Sequence, residues 1–226
     1  MNDPILQEHE GIVVVRDDLL PGGTKSRFAA LLFEGVREAV YASPVYGYAQ
    51  IALAIAAKEL GKRATIFCAQ RKEKHPRTLA AIRHGANVVE VPHGYLSVVQ
   101  ANARRYAGMF GHRLIPFGLD SEEIIVALST VAASLPIVPT EVWSVAGSGV
   151  LQRAMQRAWP MASFNAVQVG HVPSAGRARV FVSPQKFEQD AKLLPPFPSC
   201  SNYDAKAWAF IKKHATPGAL FWNVAA

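Results

Sequence analysis

The chain has 226 residues, half of them hydrophobic, and carries a net charge of +7 with an isoelectric point near 9.6. That is enough apolar material for one large domain or two closely joined lobes, and the sparse charges argue against a disordered chain. No apolar run reaches the roughly 20 residues that a bilayer-spanning helix needs, and Cys68 and Cys200 fit no metal spacing, so free thiols in a reducing compartment are expected.

The start, Met1 to Gly11, is polar and acidic, unlike a targeting signal, and predicts a cytoplasmic protein. Ile12 to Val15 reads as a strand, and Leu20-Pro21-Gly22-Gly23 breaks the chain. From Ser26 to about Ala39, apolar residues recur at helical spacing. Tyr48 to Leu60 is an alanine-rich helix stopped by Gly61. Ala64 to Cys68 is a strand, Arg77 to His84 a helix, Asn87 to Val91 a strand and Leu96 to Phe110 a helix. Arg113 to Ile115 is a short strand and Ser121 to Leu135 a helix. Glu141 to Val145 is a strand, followed by Gly147-Ser148-Gly149 and a helix to Trp159. Phe164 to Val169 and Arg177 to Val182 read as strands. Pro184 to Asn202 is a proline-rich connection, either a flap over a site or a surface crossing. Tyr203 to His214 is a helix and Ala219 to Val224 a last strand. This alternation predicts an α/β fold: mostly parallel twisted sheets, helices on both faces, ligands at the carboxyl ends of the strands.

Two segments carry chemistry. Gly22-Gly23-Thr24-Lys25-Ser26-Arg27 places a lysine behind a glycine pair. It is not a nucleotide P-loop, because Thr24 stands where a glycine should precede the lysine. Small neighbours would let a planar group approach, and a desolvated lysine is a better imine former. Ala146-Gly147-Ser148-Gly149-Val150 lies between a strand and a helix, where backbone amides and the helix dipole bind phosphate. Taken alone, the first admits a solvated loop lysine and the second a plain tight turn.

Together, in this order, they resemble the tryptophan-synthase-β-like (fold type II) pyridoxal-phosphate enzymes, above all the 1-aminocyclopropane-1-carboxylate deaminase and D-cysteine desulfhydrase branch, here in a shortened and phage-type form. The resemblance runs from Arg16-Asp17-Asp18-Leu19 through the Lys25 segment and the Ala49–Gly61 helix. It continues with His84-Gly85-Ala86-Asn87-Val88-Val89, Ile115-Pro116-Phe117-Gly118 and Gly147-Ser148-Gly149. It closes on Tyr203-Asp204-Ala205-Lys206-Ala207 and Ala219-Leu220-Phe221-Trp222. It implies pyridoxal 5'-phosphate on Lys25 as a Schiff base. It also implies cofactor contacts at Ala146, Gly147, Ser148, Gly149, Val150 and Asn223, and catalytic roles for Lys25, Tyr48 and Tyr203. Residues 1–42 with 116–226 would form a larger cofactor-binding lobe and 43–115 a smaller one, in a homodimer. Three positions depart from the family pattern: Tyr48 stands for an asparagine, Val150-Leu151 follow the phosphate turn, and Asn223-Val224-Ala225-Ala226 replace Thr-Gly-Gly.

The reaction implied is at the α-carbon of a small amino acid: deamination, elimination or decarboxylation, with the cofactor as electron sink. Because the chain is short and basic, with clusters at Arg71-Lys72-Lys74, Arg104-Arg105-Arg113 and Arg153-Arg157, an amino acid attached to thymine in phage hypermodified DNA is the alternative substrate. A non-catalytic relative that binds pyridoxal phosphate or nucleic acid is a third reading.

Overall fold

The computed structural model describes residues 3–92 and 94–226. Ten strands form: β1 (Leu6–His9), β2 (Ile12–Arg16), β3 (Glu38–Ala42), β4 (Arg63–Ala69), β5 (Asn87–Val91), β6 (Arg113–Leu114), β7 (Glu141–Ala146), β8 (Ser163–Gln168), β9 (Arg179–Val182) and β10 (Leu220–Asn223). Six α-helices accompany them: α1 (Ala49–Glu59), α2 (Pro76–Arg83), α3 (Leu96–Phe110), α4 (Glu122–Ala133), α5 (Val150–Ala158) and α6 (Trp208–His214). The described chain divides into two compact units, the residues up to Thr24 with Asp120–Ala226, and Lys25–Leu119.

The first unit holds a six-stranded sheet in the order β1-β2-β10-β7-β8-β9. Only β1 runs antiparallel; the other pairings are parallel. The register aligns Arg16 with Asn223, Ala146 with Gln168, and Gln168 with Val182. The carboxyl ends of these strands therefore share one edge, where open parallel sheets gather ligands. One face of the sheet buries Trp143, Val145, Val167 and Phe221 against Trp208 and Ile211. On the other, Ala146, Ala166 and Ala175 pack in a second, smaller cluster.

The second unit holds a four-stranded, all-parallel sheet in the order β5-β4-β3-β6. Val40, Ala42, Phe67 and Val91 pack on Val99, Ala103 and Ala107 of α3. Every residue of α1 from Ala49 to Ala57 is buried. A helix that is buried all round belongs to an interior, and its alanines allow the close approach.

The helix expected over Ser26 to Ala39 does not form. Two short 3-10 turns, Gly23–Arg27 and Ala29–Phe33, are followed by β3, all five residues of which are buried. Gly35, with φ +69°, separates the turns from the strand. Glu38 fixes the strand start: it pairs with Arg63 at 2.8 Å and accepts hydrogen bonds from Thr65 Oγ1 at 2.7 Å and Tyr106 Oη at 3.1 Å. These long-range partners outweigh a local helical period. β3 pairs with β4 and β6, and the second unit runs from Lys25 to Leu119. The last helix is also shorter than expected, with a 3-10 turn, Asp204–Ala207, ahead of α6. Strand β1 was not legible, since its polar Leu-Gln-Glu-His is held by pairing with β2.

The proline-rich stretch is tied to the first unit. Phe197 is buried in the core of the first unit, with Phe187 packed against it. Asn202 Nδ2 donates to Phe187 O at 3.0 Å, Ala191 N to Ser201 O at 2.8 Å, and Cys200 N to Ala225 O at 2.8 Å. Both cysteines are buried free thiols. Among the described residues no helix is long and apolar enough to cross a membrane.

Candidate functional site

At the carboxyl end of β2 the chain turns through Asp17–Leu19 and Gly22-Gly23, both glycines at positive φ, 87° and 68°. A side chain on Gly23 would meet Val224 O at 2.3 Å. Next to it, Thr24 N donates to Val224 O at 2.9 Å. The fully buried carboxylate of Asp17 accepts from Thr24 Oγ1 at 2.7 Å and from Trp222 Nε1 at 2.9 Å. Thr24 is thus fixed through its backbone and its side chain to β10 and to Asp17. Lys25 is the next residue, in the same 3-10 turn.

Asp18 does parallel work. It takes Arg16 Nε and Asn223 Nδ2, each at 2.8 Å. Asn223 Nδ2 also donates to Pro198 O, while its Oδ1 accepts from Ser199 Oγ at 2.7 Å. Asn223 is fully buried. Its side chain ties β10 to Asp18 and to the proline-rich connection.

At the carboxyl end of β7, Ala146 leads into Gly147-Ser148-Gly149, and α5 begins at Val150. Gly149 has φ +89°, and a side chain there would meet Ser174 O at 2.2 Å. Its missing Cβ makes room for the chain's own Ser174-Ala175 backbone. A side chain on Gly147 would come within 3.1 Å of Tyr203 Oη. Burial is the largest influence on Tyr203 and pushes its pKa well above the ordinary phenol value; Asp204 raises it further, and the Gly147 amide lowers it slightly. The ring meets Phe187 edge-on. Tyr203 therefore lies beside the turn, with burial favouring its neutral form.

No side chain caps α5, and its first intrahelical bond runs from Arg153 N to Gly149 O at 3.1 Å. The amides of Val150, Leu151 and Gln152 precede that bond. A helix start without a capping side chain, at the ligand edge of a parallel sheet, suits a phosphate ester as its cap. The residues present therefore fit a phosphate-bearing cofactor.

In the second unit, Tyr48 stands immediately before α1 and is half-buried. The Arg77 guanidinium lies 5.5 Å from its ring centroid. Arg77 Nη1 also donates to Tyr46 O, and Tyr46 meets the His75 ring edge-on at 4.7 Å. Gln50 Nε2 donates to Val45 O at 3.1 Å and to Gly47 O at 2.9 Å, while its buried Oε1 has no hydrogen-bond partner. These supports of the 45–48 loop were missed in the sequence, where His75, Arg77 and Gln50 carry no motif; only the helix start at Tyr48 was legible.

The basic clusters are partly neutralised. Arg153 pairs with Asp120 at 2.7 Å, Arg157 with Glu122, and Lys74 with Glu90 at 2.6 Å.

Solved structures share this fold. An ACC deaminase homologue matches with a TM-score of 0.84 at 13% identity, covering 100% of this chain and 90% of its own. The processed form of threonine deaminase isoform 2 from Solanum lycopersicum matches with a TM-score of 0.75 at 14% identity, covering 99% and 83%. The O-acetylserine-dependent cystathionine β-synthase from Helicobacter pylori matches with 0.70 at 14% identity, covering 100% and 93%. No protein-family model and no curated protein matches the chain. At such identities the likeness speaks to the fold, and the fold is the mostly parallel α/β arrangement of the fold type II pyridoxal-phosphate enzymes.

Proposed function

We propose that the chain is a pyridoxal-phosphate-dependent enzyme acting at the α-carbon of a small amino acid, in a deaminase or lyase type of reaction. The observation that carries this reading is the fixed turn through Thr24, which sets the position of the residue after it, Lys25. Lys25 would hold the cofactor through its ε-amine. The first-turn amides of α5, with Ala146 to Val150 shaping the approach, would hold the phosphate. When bound, pyridoxal phosphate supplies an electron sink for the bond broken at the α-carbon.

The rest is the work of the chain. The Lys25 ε-amine would take up or return the proton at the substrate α-carbon. Asp17, Thr24 and Trp222 hold the backbone before Lys25 still, so that this amine starts from one place. Tyr48, at the start of α1, would orient the cofactor ring by its hydroxyl or its face, and the Arg77 guanidinium lies 5.5 Å from the tyrosine ring centroid. An amino acid carried on DNA is a less favoured substrate, because Arg153 and Arg157 each face a carboxylate.

The test is to add pyridoxal phosphate to the purified protein, record the visible band, reduce with borohydride and map the labelled peptide. A band that is lost in Lys25→Ala, with label on the Lys25 peptide of the wild type and unchanged far-ultraviolet circular dichroism in the variant, is expected. No band, or label confined to another lysine, removes the proposal. Turnover of free small amino acids beside amino-acid-modified thymine in DNA then separates the two substrates.

A further inference from the structure

The first unit contains a cavity of about 300 Å³ between the proline-rich connection and α6. That volume is at the lower end of the range for small-molecule sites. Pro184, Leu193, Ala209 and Phe210 give it an apolar lining. Lys206 is also in the wall, and Lys192 and Lys213 complete a cationic set.

Lys206 differs from the other two. It is only 2 % exposed, whereas Lys192 and Lys213 are solvent-exposed. Its Nζ donates to Lys186 O at 2.7 Å. An ammonium has three donors, so two N–H remain beyond that bond. Burial lowers its pKa, while Cys200, Asp190 and Glu188 counter the effect. Neither carboxylate is part of the cavity lining, and Asp190 also accepts from Ser201 Oγ at 2.6 Å. A buried ammonium with donors to spare, beside an apolar hollow, is complementary to an anion that carries an apolar body.

We propose that this cavity binds a small organic carboxylate, its aromatic or aliphatic body against Phe210 and Leu193 and its carboxylate on Lys206 Nζ. A carboxylate fits better than a phosphate, because the lining offers neither an arginine fork nor a nest of backbone amides. The connection is held at Phe187 and Ala191, both of which follow Lys186, whose carbonyl accepts from Lys206. The site is independent of the cofactor reading, since none of its residues belongs to the turns at Lys25 or Gly147.

The probes are phenylacetate and its neutral counterpart phenylacetamide, titrated into the full chain by calorimetry and followed by amide NMR shifts. Saturable binding of phenylacetate is expected, with phenylacetamide weaker by roughly ten-fold or more, as loss of one charge-assisted hydrogen bond implies. Lys206→Met should weaken phenylacetate by a similar factor, and Phe210→Trp should weaken it by filling the hollow while leaving Lys206 in place. Circular dichroism and melting of each variant check the fold; should Lys206→Met not fold, Phe210→Trp with the two probes decides. Equal affinity for the two probes, no saturable binding at millimolar phenylacetate, or affinity untouched by Phe210→Trp would each overturn the proposal.

Discussion

Two glycine turns follow β2 and β7, the parallel strands on either side of β10, and they are built by different means. The turn after β2 is held by polar side chains: Asp17, Thr24 and Trp222 form one buried network. The turn after β7 is held by backbone fit. Ser174 N donates to Ser148 O at 3.1 Å, Val169 N to Ala146 O at 3.2 Å, and Gly149 leaves its space to Ser174. The first device fixes Thr24, the residue before Lys25, and its polar groups satisfy one another. The second leaves the amides of a helix start without a side-chain cap, available to an anion.

The comparison breaks most visibly at Gly149. Gly149→Ala adds a Cβ against Ser174 O and keeps an unfavourable positive φ, so a loss of about 2–5 kcal/mol in urea unfolding is expected. Gly11→Ala, with φ +78° and nothing within 4 Å of its added Cβ, should lose about 1–2 kcal/mol. Equal losses would mean that backbone conformation alone, and not the close fit, makes Gly149 necessary.

The network before Lys25 comes next. Asp17→Ala leaves two buried donors without this acceptor and should cost about 2–4 kcal/mol. Trp222→Phe should cost less, and the double variant less than the sum, because the two residues share one network. Cofactor affinity measured by titration should fall with Asp17→Ala more than stability alone requires. Additive stability losses would show that the three side chains do not act as a unit.

A milder effect is expected at high pH. Burial pushes the Tyr41 phenol up to about 12 and Tyr203 higher than its ordinary value. Raised folded-state pKa values give stability that is fully present below the unfolded value near 10 and is lost as pH climbs toward the folded one. Urea midpoints should therefore hold to about pH 10 and fall above it. Tyr203→Phe should flatten part of that fall while changing the neutral-pH midpoint by about 1 kcal/mol or less. A large loss of activity in Tyr203→Phe, with its fold intact, would support a proton-transfer role. The smallest effect belongs to Arg157→Ala, whose ion pair with Glu122 is exposed; a change of at most about 0.5 kcal/mol is expected, measured in the same denaturation series.

The candidate site was half legible. Gly-Gly-Thr-Lys and Gly-Ser-Gly stand out in the chain because a tight approach or a positive φ leaves few residue choices, and such choices survive in a one-dimensional pattern. Their supports do not stand out. Asp17 and Trp222 are 205 residues apart, and neither residue type, at its own position, announces a partner. The resemblance implies a cofactor contact at Asn223, but the three side-chain and backbone partners that tie it into the scaffold were not legible.

By itself the sequence determined the alternation of strands and helices, the parallel sheets it implies, and the places where the chain must turn on glycine. Those are local consequences of hydrophobic period and backbone freedom. Only the tertiary structure decided that residues 38–42 are a strand and not the end of a helix, because Glu38 finds Arg63, Thr65 and Tyr106 from other elements. It likewise decided that the proline-rich stretch is tied to the first unit, since Phe197 is buried with the core and Phe187 packs against it. In both cases partners distant in sequence outweigh what the neighbouring residues favour, and a single chain read in order does not reveal who those partners are.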